Sequence, residues 1–337
     1  MRTIVIGTGI CGAVAIGSIP DAIVFDKSKK VGGRTNTKHW KDGSIFDIGA
    51  TYLEPEVFFQ KDGSKESFRI IEEFEPNFFT DGPLGKIFPK NGMNAISMAL
   101  KKNHEILFGK KVLSIQKETD CFYLGMEDGE ELVADRVILT CPLPQVDQLL
   151  KGSIREKWKP IYNYFQDYRS CLVGAAYFPN WNYKEKEWSY LWKGEELEYV
   201  SFESSKYQHK GTTVMIQAGE QFSKKHRSEW RNPEDHAPSD FFHKTMKTWM
   251  KTLSRRLFWN LQEEYSETFA HVWRYSQAKN SIMDKNKEMD FNSEDYKTWE
   301  ATCRKTDLWI LGDWVFGSRV ERIYLGTKIA LTDLQKE

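Results

Sequence analysis

The stretch "IVIGTGICGAVAIGSIPDAIVFD", residues 4–26, decides the fold of this chain because it joins two apolar runs through a glycine-rich turn. The first run leads into Gly7, Gly9 and Gly12, and the second run ends on Asp26. This order is typical of a strand, a tight turn, a short helix and a second, parallel strand. The predicted strands and helix lie at residues 3–6, 22–26 and 10–18.

The residue types in this turn suit a dinucleotide. Gly7 allows the tight turn, Gly9 lets the backbone approach a pyrophosphate, and Gly12 lets helix and strand pack closely. The free N–H groups and the positive dipole end of the helix would then face the phosphates. Asp26 is placed to accept hydrogen bonds from the adenosine ribose hydroxyls. NAD and FAD both fit this pattern, and a glycine turn that serves packing alone is the structural alternative.

Two later features separate the two dinucleotides. "GGRTNT", residues 32–37, brings a second glycine turn and Arg34 close to the same pyrophosphate, where the guanidinium can pair with phosphate oxygens. Asp313, at the end of a late strand, is placed to bind polyol hydroxyls. A helix that begins near residue 320 would aim its N-terminus at a ring that becomes anionic on reduction. A flavin has both a ribityl chain and such a ring, so these features favour FAD.

The composition excludes several other classes of function. The 337 residues carry a formal net charge of zero, with 40% hydrophobic and 28% charged residues, so nucleic acid and membrane surfaces are not expected as partners. The five cysteines form no Cys-x-x-Cys and the histidines form no metal-spaced cluster, so no metal is expected. The first predicted strand begins two residues after Met1, which leaves no room for a secretory signal, and a reduced, cytoplasmic location is expected.

The pattern along the chain changes between its ends and its middle. Both ends look like α/β material, whereas the middle alternates strand-like pieces with polar loops. An amphipathic helix is predicted at 239–262, with a basic face that is more simply a solvated surface than a nucleic-acid site. A charged stretch at 284–306 indicates a surface insertion. We therefore expect a discontinuous first domain with a second one inserted into it. The first would comprise residues 1–60, 87–164 and 268–337, and the second residues 61–86 and 165–267.

Several segments occur in an order and spacing similar to one flavoprotein family. They are "IVIGTGICG", "VFDKSKKVGGR", "FDIGATYL", "NGMNAI", "LTCPLPQ", "HVWRYSQ" and "LGDWVFGSRVERIYLG". The chain resembles the renalase-like FAD-dependent oxidoreductases of the amine oxidase superfamily, and their bacterial members most closely. The resemblance implies an α/β fold: a Rossmann-type FAD-binding domain with an inserted substrate domain of mixed β-sheet plus helix, as in p-hydroxybenzoate hydroxylase. Because the sequence has no evident flavin-attachment motif, FAD is expected to be held non-covalently.

The same resemblance implies which residues contact the cofactor. It places Cys11 at the phosphate turn, Arg34 at the pyrophosphate and Val112 on the strand whose backbone meets adenine. Thr51 falls beside the isoalloxazine, and Asp313 matches the ribityl contact. The full set implied for FAD is Gly7, Gly9, Cys11, Gly12, Asp26, Lys27, Gly33, Arg34, Gly49, Ala50, Thr51, Val112, Gly312, Asp313, Val320, Glu321, Arg322 and Ile323.

The substrate would lie over the flavin ring, against aromatic side chains. The resemblance implies that Tyr52 and the strand "HVWRYSQ" line this pocket, with His271, Trp273 and Tyr275 on one face by period-two alternation. Without the resemblance, the three side chains also fit an ordinary core. No catalytic residue is assigned, because the flavin N5 takes the hydride.

The sequence departs from the family pattern in the late motif. Relatives commonly have Arg-Val-Glu-Gly-Ala, whereas this chain has Arg322 in place of the glycine and Ile323 in place of the small residue after it. The Arg322 side chain either crowds the ring, turns outward, or helps to stabilise a reduced, anionic flavin. We expect FAD binding to be retained.

The activity that the resemblance implies is oxidation of a misreduced, isomeric dihydronicotinamide dinucleotide. The substrate would pass a hydride to FAD, giving NAD(P)+, and O2 would take the electrons to form H2O2. One alternative is a flavin amine oxidase or dehydrogenase that acts on another hydride donor. An alternative of a different class is a degenerate, non-catalytic dinucleotide-binding protein.

Overall fold

The computed structural model describes residues 1–183, 187–257, 265–283, 288–332 and 334. Its strands, in chain order, are β1 (Thr3–Ile6), β2 (Ile23–Asp26), β3 (Thr37–His39), β4 (Ile45–Asp47), β5 (Glu56–Phe59), β6 (Lys65–Phe68), β7 (Phe79–Asp81), β8 (Ile87–Pro89), β9 (Leu107–Phe108), β10 (Val112–Glu118), β11 (Cys121–Met126), β12 (Glu131–Ala134), β13 (Arg136–Leu139), β14 (Tyr168–Phe178), β15 (Ser189–Leu191), β16 (Leu197–Phe202), β17 (Thr212–Ala218), β18 (Glu267–Ala278), β19 (Met289–Asp290) and β20 (Leu308–Ile310). Its α-helices are α1 (Ile10–Ser18), α2 (Ala95–Leu100), α3 (Leu143–Leu149), α4 (Gly152–Tyr162), α5 (Glu203–Tyr207), α6 (Glu220–His226), α7 (Asp240–Arg256), α8 (Glu294–Thr306), α9 (Asp313–Phe316) and α10 (Val320–Thr332).

A parallel sheet with the strand order β20-β13-β1-β2-β9 combines strands from both ends of the chain. Ile4 in β1 pairs with Val137 in β13 on one side and with Ile23 in β2 on the other. These strands are buried and apolar, as parallel strands covered on both faces must be. The helices α1 and α10 pack against each other beside this sheet. The predicted α/β class with a Rossmann-type sheet is confirmed.

The middle of the chain forms an antiparallel sheet with the order β15-β16-β17-β14-β18. β18 pairs with β14 from Glu267, opposite Tyr177, to Ala278, opposite Tyr168. The domain boundary predicted between 267 and 268 therefore falls inside a strand of this sheet, and residues 268–278 are part of it. The boundary predicted between residues 60 and 61 divides a hairpin, because it lies in the turn between the paired strands β5 and β6.

The predicted amphipathic helix is present as α7. Ser239 caps its N-terminus by accepting the N–H of Phe242 at 3.1 Å. The prediction extended the helix to residue 262, and residues 258–264 lie outside the described residues. The basic side chains are exposed, namely Lys244, Lys247, Lys251 and Arg255. Across the part of the chain that the structure describes, no helix is long and apolar enough to cross a membrane.

The charged stretch predicted as a surface insertion contains α8 instead. This helix buries Tyr296, Trp299 and Cys303 and packs on β20. Their spacing of three, then four residues forms an apolar stripe on one face of the helix, which the surrounding charges conceal in the composition. Of the predicted stretch, residues 284–287 lie outside the described residues.

The carboxyl ends of the parallel strands meet at one edge of the sheet. Gly7 follows β1, Asp26 ends β2, Thr140 follows β13 and Gly312 comes two residues after the end of β20. In sheets of this kind, ligands bind outside the carboxyl ends of the strands. The fold therefore brings the residues of the opening motif and of the late motif to one place.

Candidate functional site

The glycine turn after β1 is closed on its inner side and open on its outer side. A Cβ at Gly12 would lie 1.9 Å from the carbonyl oxygen of Gly7, so only glycine fits there without a backbone shift. A Cβ at Gly9 would meet no described atom within 4 Å. Gly9 is also the N-cap of α1 and supplies no side-chain cap, so the first N–H groups of the helix are left for a ligand. A pyrophosphate needs this combination of close helix packing and open backbone.

A second glycine turn packs directly against the first. The N–H of Gly32 donates to the carbonyl of Thr8 at 3.0 Å. Gly33 has a φ of +51°, and a Cβ on it would lie 3.2 Å from the Cα of Gly9. Arg34 follows immediately, so the fold brings this arginine beside the opening motif.

The end of β2 is tied to the first turn by Asp26. Its carboxylate accepts the N–H of Thr8 at 2.8 Å and the Thr8 hydroxyl, and it also accepts the N–H and hydroxyl of Ser28 at 2.8 and 2.7 Å. Lys27 points along the surface and donates to the side-chain oxygen of Gln145 at 3.3 Å. Asp26 thus fixes the shape of the turn, and its contact with a ribose stays a prediction.

Arg34 and Asp313 are partners of each other. Their bidentate ion pair has N–O distances of 2.5 and 3.0 Å, and Asp313 is 1% exposed. The same carboxylate accepts the hydroxyl of Tyr168 at 2.9 Å and the N–H of Ala278 at 2.8 Å. Asp313 therefore joins the second glycine turn to β14 and β18, and despite its burial, the Arg34 charge keeps its pKa below the usual value. The sequence predicted separate contacts for the two residues, with phosphate and ribityl groups.

Cys11 and Val112, two further residues of the predicted cofactor set, lie in different surroundings. The thiol of Cys11 is buried against α10, where it accepts the Thr327 hydroxyl at 3.2 Å, and burial raises its pKa to about 12. Only the backbone of Cys11, in the first turn of α1, is left to face a phosphate. Val112 begins β10, three residues after Gly109, whose N–H donates to the carbonyl of Ser28 at 3.1 Å. The chain before Val112 therefore passes the end of β2.

Residues 48–51 are clamped by three side chains of the antiparallel sheet. The bonds run from Trp273 Nε1 to the Ile48 carbonyl (2.6 Å), from Gln217 Nε2 to the Gly49 carbonyl (2.7 Å), and between the hydroxyls of Tyr199 and Thr51 (2.8 Å). On the other side, the N–H of Ala50 donates to the Arg34 carbonyl at 3.0 Å. The segment that the resemblance places beside the isoalloxazine is thus fixed between the two sheets.

A cavity of about 390 Å³ opens between this segment and the antiparallel sheet. Its floor contains Gly49, Ala50, Thr51, Tyr52, Val320 and Glu321, which belong to the predicted cofactor and substrate sets. The antiparallel sheet contributes Tyr199, Gln217 and Ala218 to the lining. Charged side chains also line it, namely Glu54, Arg169, Lys193, Glu198, Arg319 and Glu321.

Of the four predicted substrate residues, only Tyr52 lines this cavity. The rings of His271 and Trp273 contact each other at 4.2 Å, and burial lowers the pKa of His271 to about 4. Tyr275 packs against Tyr168 at 5.9 Å instead of beside Trp273. The predicted alternation fails here because the β14–β18 register shifts between Trp273 and Gln277, where β18 carries extra residues.

The arginine that replaces the family glycine is turned away from the cavity. The Nε of Arg322 donates to one oxygen of Glu56 at 3.0 Å, and Arg319 lies 2.6 Å from the other oxygen. Glu56 is 3% exposed, so the carboxylate is buried between two arginines. Arg322 is itself only 7% exposed, so Glu56 holds its guanidinium inside the protein, and its effect on a bound ring stays a prediction. Ile323 is partly buried and packs on the main hydrophobic core.

Glu321 is the buried acid at the cavity floor. It is 2% exposed and accepts the N–H of Glu54. Burial raises the pKa of Glu321 to about 7, and Glu56 acts in the same direction, whereas hydrogen bonds from N–H groups and the charge of Arg319 oppose the rise. Tyr52 stands nearby with its pKa raised by burial and by Glu54.

Several residues of the site escaped the sequence analysis. Four of them lie between residues 169 and 217, where none of the quoted family segments occurs, namely Arg169, Glu198, Tyr199 and Gln217. A polar Gln217 inside the apolar strand "TTVMIQA" was the available signal. No sequence signal indicated the ion pair between Arg169 in β14 and Glu198 in β16, whose N–O distances are 2.8 and 3.0 Å.

The chemistry of the site fits FAD. The open Gly9 and the uncapped α1 suit a pyrophosphate, and the floor of the cavity with the first turn of α10 suits a flat ring. In the described part of the chain, no group of His, Cys, Asp and Glu side chains could hold a metal ion.

The chain is similar to one protein family in sequence and to several solved structures in fold. Residues 65–230 match the family described as flavin containing amine oxidoreductase. Among solved structures, a putative protoporphyrinogen oxidase from Exiguobacterium sp. 255-15 is similar with a TM-score of 0.69 at 10% identity, over 100% of this chain and 99% of the other. A reduced UDP-galactopyranose mutase follows with a TM-score of 0.67 at 11% identity (99% and 95% covered). Putrescine oxidase bound to putrescine has a TM-score of 0.64 at 10% identity (100% and 99% covered).

No curated protein sequence matches the chain. At such low identities the structural likeness shows the fold alone. The family match over residues 65–230 indicates a flavin cofactor. The chain therefore has the fold of the flavin-containing amine oxidoreductases and matches that family over its central part, and its cofactor is FAD.

Proposed function

We propose that the protein is an FAD-dependent oxidase that takes a hydride from a misreduced, isomeric dihydronicotinamide dinucleotide and restores NAD(P)+. When bound, FAD supplies the hydride acceptor at N5 and passes the electrons to O2, which forms H2O2. The observation that carries the proposal is the cavity over Gly49–Tyr52. Its volume of about 390 Å³ suits a ring-sized ligand, and its floor is the segment that the resemblance places beside the flavin ring.

The antiparallel sheet offers an amide to the substrate. Gln217 donates through Nε2 to Gly49, which leaves Oε1 without a partner among the described residues. The carboxamide of a nicotinamide can donate to such an oxygen. Because a dihydronicotinamide already carries a transferable hydride, the protein has to orient it rather than deprotonate it.

The charges on the cavity wall leave one cation for the phosphates of the substrate. Arg169 is bound by Glu198, and Arg319 is bound by Glu54. For Lys193 the described residues offer no ion-pair partner. A substrate phosphate at the mouth of the cavity would supply one.

The test is rapid anaerobic mixing of the FAD-loaded protein with isomeric dihydronicotinamide dinucleotides. The ordinary 1,4-dihydro isomer and a panel of amines serve as comparison donors. We expect the isomers to remove the oxidised-flavin absorption fastest, and H2O2 to appear when air is admitted. Reduction by amines alone would assign the protein to the amine oxidases instead. A protein that binds no FAD would favour the non-catalytic alternative.

A further inference from the structure

The first turn of α10 places a carboxyl group in the lining of the cavity. Glu321 is the second residue of this helix and lies on the cavity floor with Tyr52 and Val320. Its side chain is almost completely buried. The N–H of Glu54 donates to its Oε1, which fixes the carboxyl against the segment before β5.

The two arginines near Glu321 form their salt bridges with other carboxylates. Arg319 is held by Glu54 and Glu56, and Arg322 is held by Glu56. No described residue forms a salt bridge with Glu321. The titratable and charged groups that face it are Tyr52, Glu54, Glu56, Arg319 and Arg322, with Arg169, Lys193 and Glu198 on the rest of the cavity wall.

Burial and the neighbouring Glu56 act in the same direction on this carboxyl. Burial favours the neutral form most strongly and the charge of Glu56 adds to it, so that the pKa rises to about 7 although Arg319 opposes the rise. Near neutral pH, a small added negative charge close to Glu321 is then enough to make it take up a proton. Reduction of a ring by hydride adds such a charge.

We propose that Glu321 is the proton-holding residue of the cavity: it takes up a proton from solvent when a bound flavin ring is reduced, and so balances the charge that the ring gains. This inference rests on the placing of FAD in the cavity under the proposed function. In all, a reduced ring would hold two more electrons and one more proton, delivered as hydride by a substrate or as electrons plus a solvent proton with dithionite. At a pH where Glu321 starts ionised, a second proton goes to its carboxylate, and where it starts neutral no second proton is taken up.

The proposal fixes how the reduction potential of the bound FAD depends on pH. Below about pH 7 the potential falls with the slope of one proton per two electrons, because Glu321 is neutral throughout. Above about pH 7 the slope doubles to two protons per two electrons, up to the pKa that Glu321 has beside the reduced ring. A proton that titrates on the ring itself would produce the opposite break, from a steep to a shallow slope.

The experiment is a reductive titration of the FAD-loaded protein with dithionite and a reference dye between pH 5.5 and 8.5. Wild type is compared with Glu321→Gln, whose amide oxygen still accepts the Glu54 N–H, and with Glu156→Gln, an exposed carboxylate of α4, as a control. We expect the slope to double near pH 7 in wild type and in E156Q, and to stay at one proton per two electrons in E321Q. A constant wild-type slope, an opposite break, or a doubling retained by E321Q would each overturn the proposal.

A second measurement detects the proton on Glu321 directly, without a measurement of the reduction potential. The infrared difference spectrum between oxidised and reduced protein at pH 8 should contain a positive band of a neutral carboxyl, which E321Q lacks. The absence of this band in wild type would contradict the proposal even if E321Q failed to fold. Because dithionite is the reductant, failure of dihydronicotinamides as substrates would refute the proposed function and leave this inference standing.

Discussion

Lys193 on the cavity wall differs from its neighbouring cations because no described carboxylate pairs with it. We expect Lys193→Met to raise KM for an isomeric dihydronicotinamide dinucleotide about tenfold, the size of one charge-assisted contact. KM for the corresponding riboside, which has no phosphate, should stay unchanged. Steady-state kinetics with both substrates measure the two values, and the exposed Lys225→Met in α6 is the matched control. Equal increases for dinucleotide and riboside would contradict a phosphate contact.

Gly12 and Gly9 lie three residues apart and have opposite surroundings. A Cβ at Gly12 collides with the Gly7 carbonyl at 1.9 Å, so Gly12→Ala should destabilise the fold by about 3 kcal/mol or more. A Cβ at Gly9 enters open space, so Gly9→Ala should keep the stability of the FAD-free protein and weaken FAD binding. Thermal unfolding without FAD and FAD titration by fluorescence separate the two effects. A stable G12A, or a G9A with unchanged FAD affinity, would refute the division of roles.

The β3–β4 hairpin is joined to α5 by a buried ion cluster. Lys206 Nζ lies 2.5 Å from Asp47 and 3.6 Å from Glu203, and all three side chains are fully buried. Lys206→Met would leave two carboxylates without their cation, so we expect a loss of about 3–5 kcal/mol. The control is Lys111→Met. Lys111 pairs with Glu127 at 2.7 Å, and both side chains are exposed, so losing this pair should lower the free energy of unfolding by less than about 1 kcal/mol.

Urea unfolding of wild type and both variants measures these differences, since the unfolding midpoint reports stability when the slope is unchanged. Similar midpoints for K206M and K111M would mean that the hairpin does not depend on the cluster. The hairpin leads directly into residues 48–51, so a large effect of K206M on FAD affinity is also expected.

The elements differ in how far the sequence could predict them. α1 was predicted with the bounds Ile10–Ser18 because glycine spacing and apolar periodicity are local signals. The shift in β18 could not be predicted, because it exists only in the pairing with β14, about a hundred residues away in the chain. The clamp on residues 48–51 escaped for the same reason: Tyr199, Gln217 and Trp273 are brought there by the antiparallel sheet.

At the scale of the whole molecule, the two ends of the chain and its middle meet at the cofactor site. β1 and β20 lie in one parallel sheet, and the antiparallel sheet closes over the segment that follows β4. The late motif could therefore be predicted to lie near the opening motif, since both are at carboxyl ends of strands in one sheet. The direct Arg34–Asp313 pair could not, because both side chains were expected to contact the ligand instead of each other.

This arrangement predicts how ligands stabilise the protein. FAD should contact both sheets, whereas ADP should contact only the glycine turns and the end of β2. At a hundred times its Kd, FAD should add about 2.7 kcal/mol to the free energy of unfolding, which for a chain of this length raises Tm by about 4 °C. Calorimetry on the FAD-free protein with each ligand gives both shifts and the number of transitions. With FAD, one transition should report the two sheets unfolding together. With ADP at the same multiple of its own Kd, the antiparallel sheet should be stabilised less than the parallel sheet and should unfold at a lower temperature. A single transition with ADP, shifted as far as with FAD, would show that the glycine turns alone control the cooperativity of the fold.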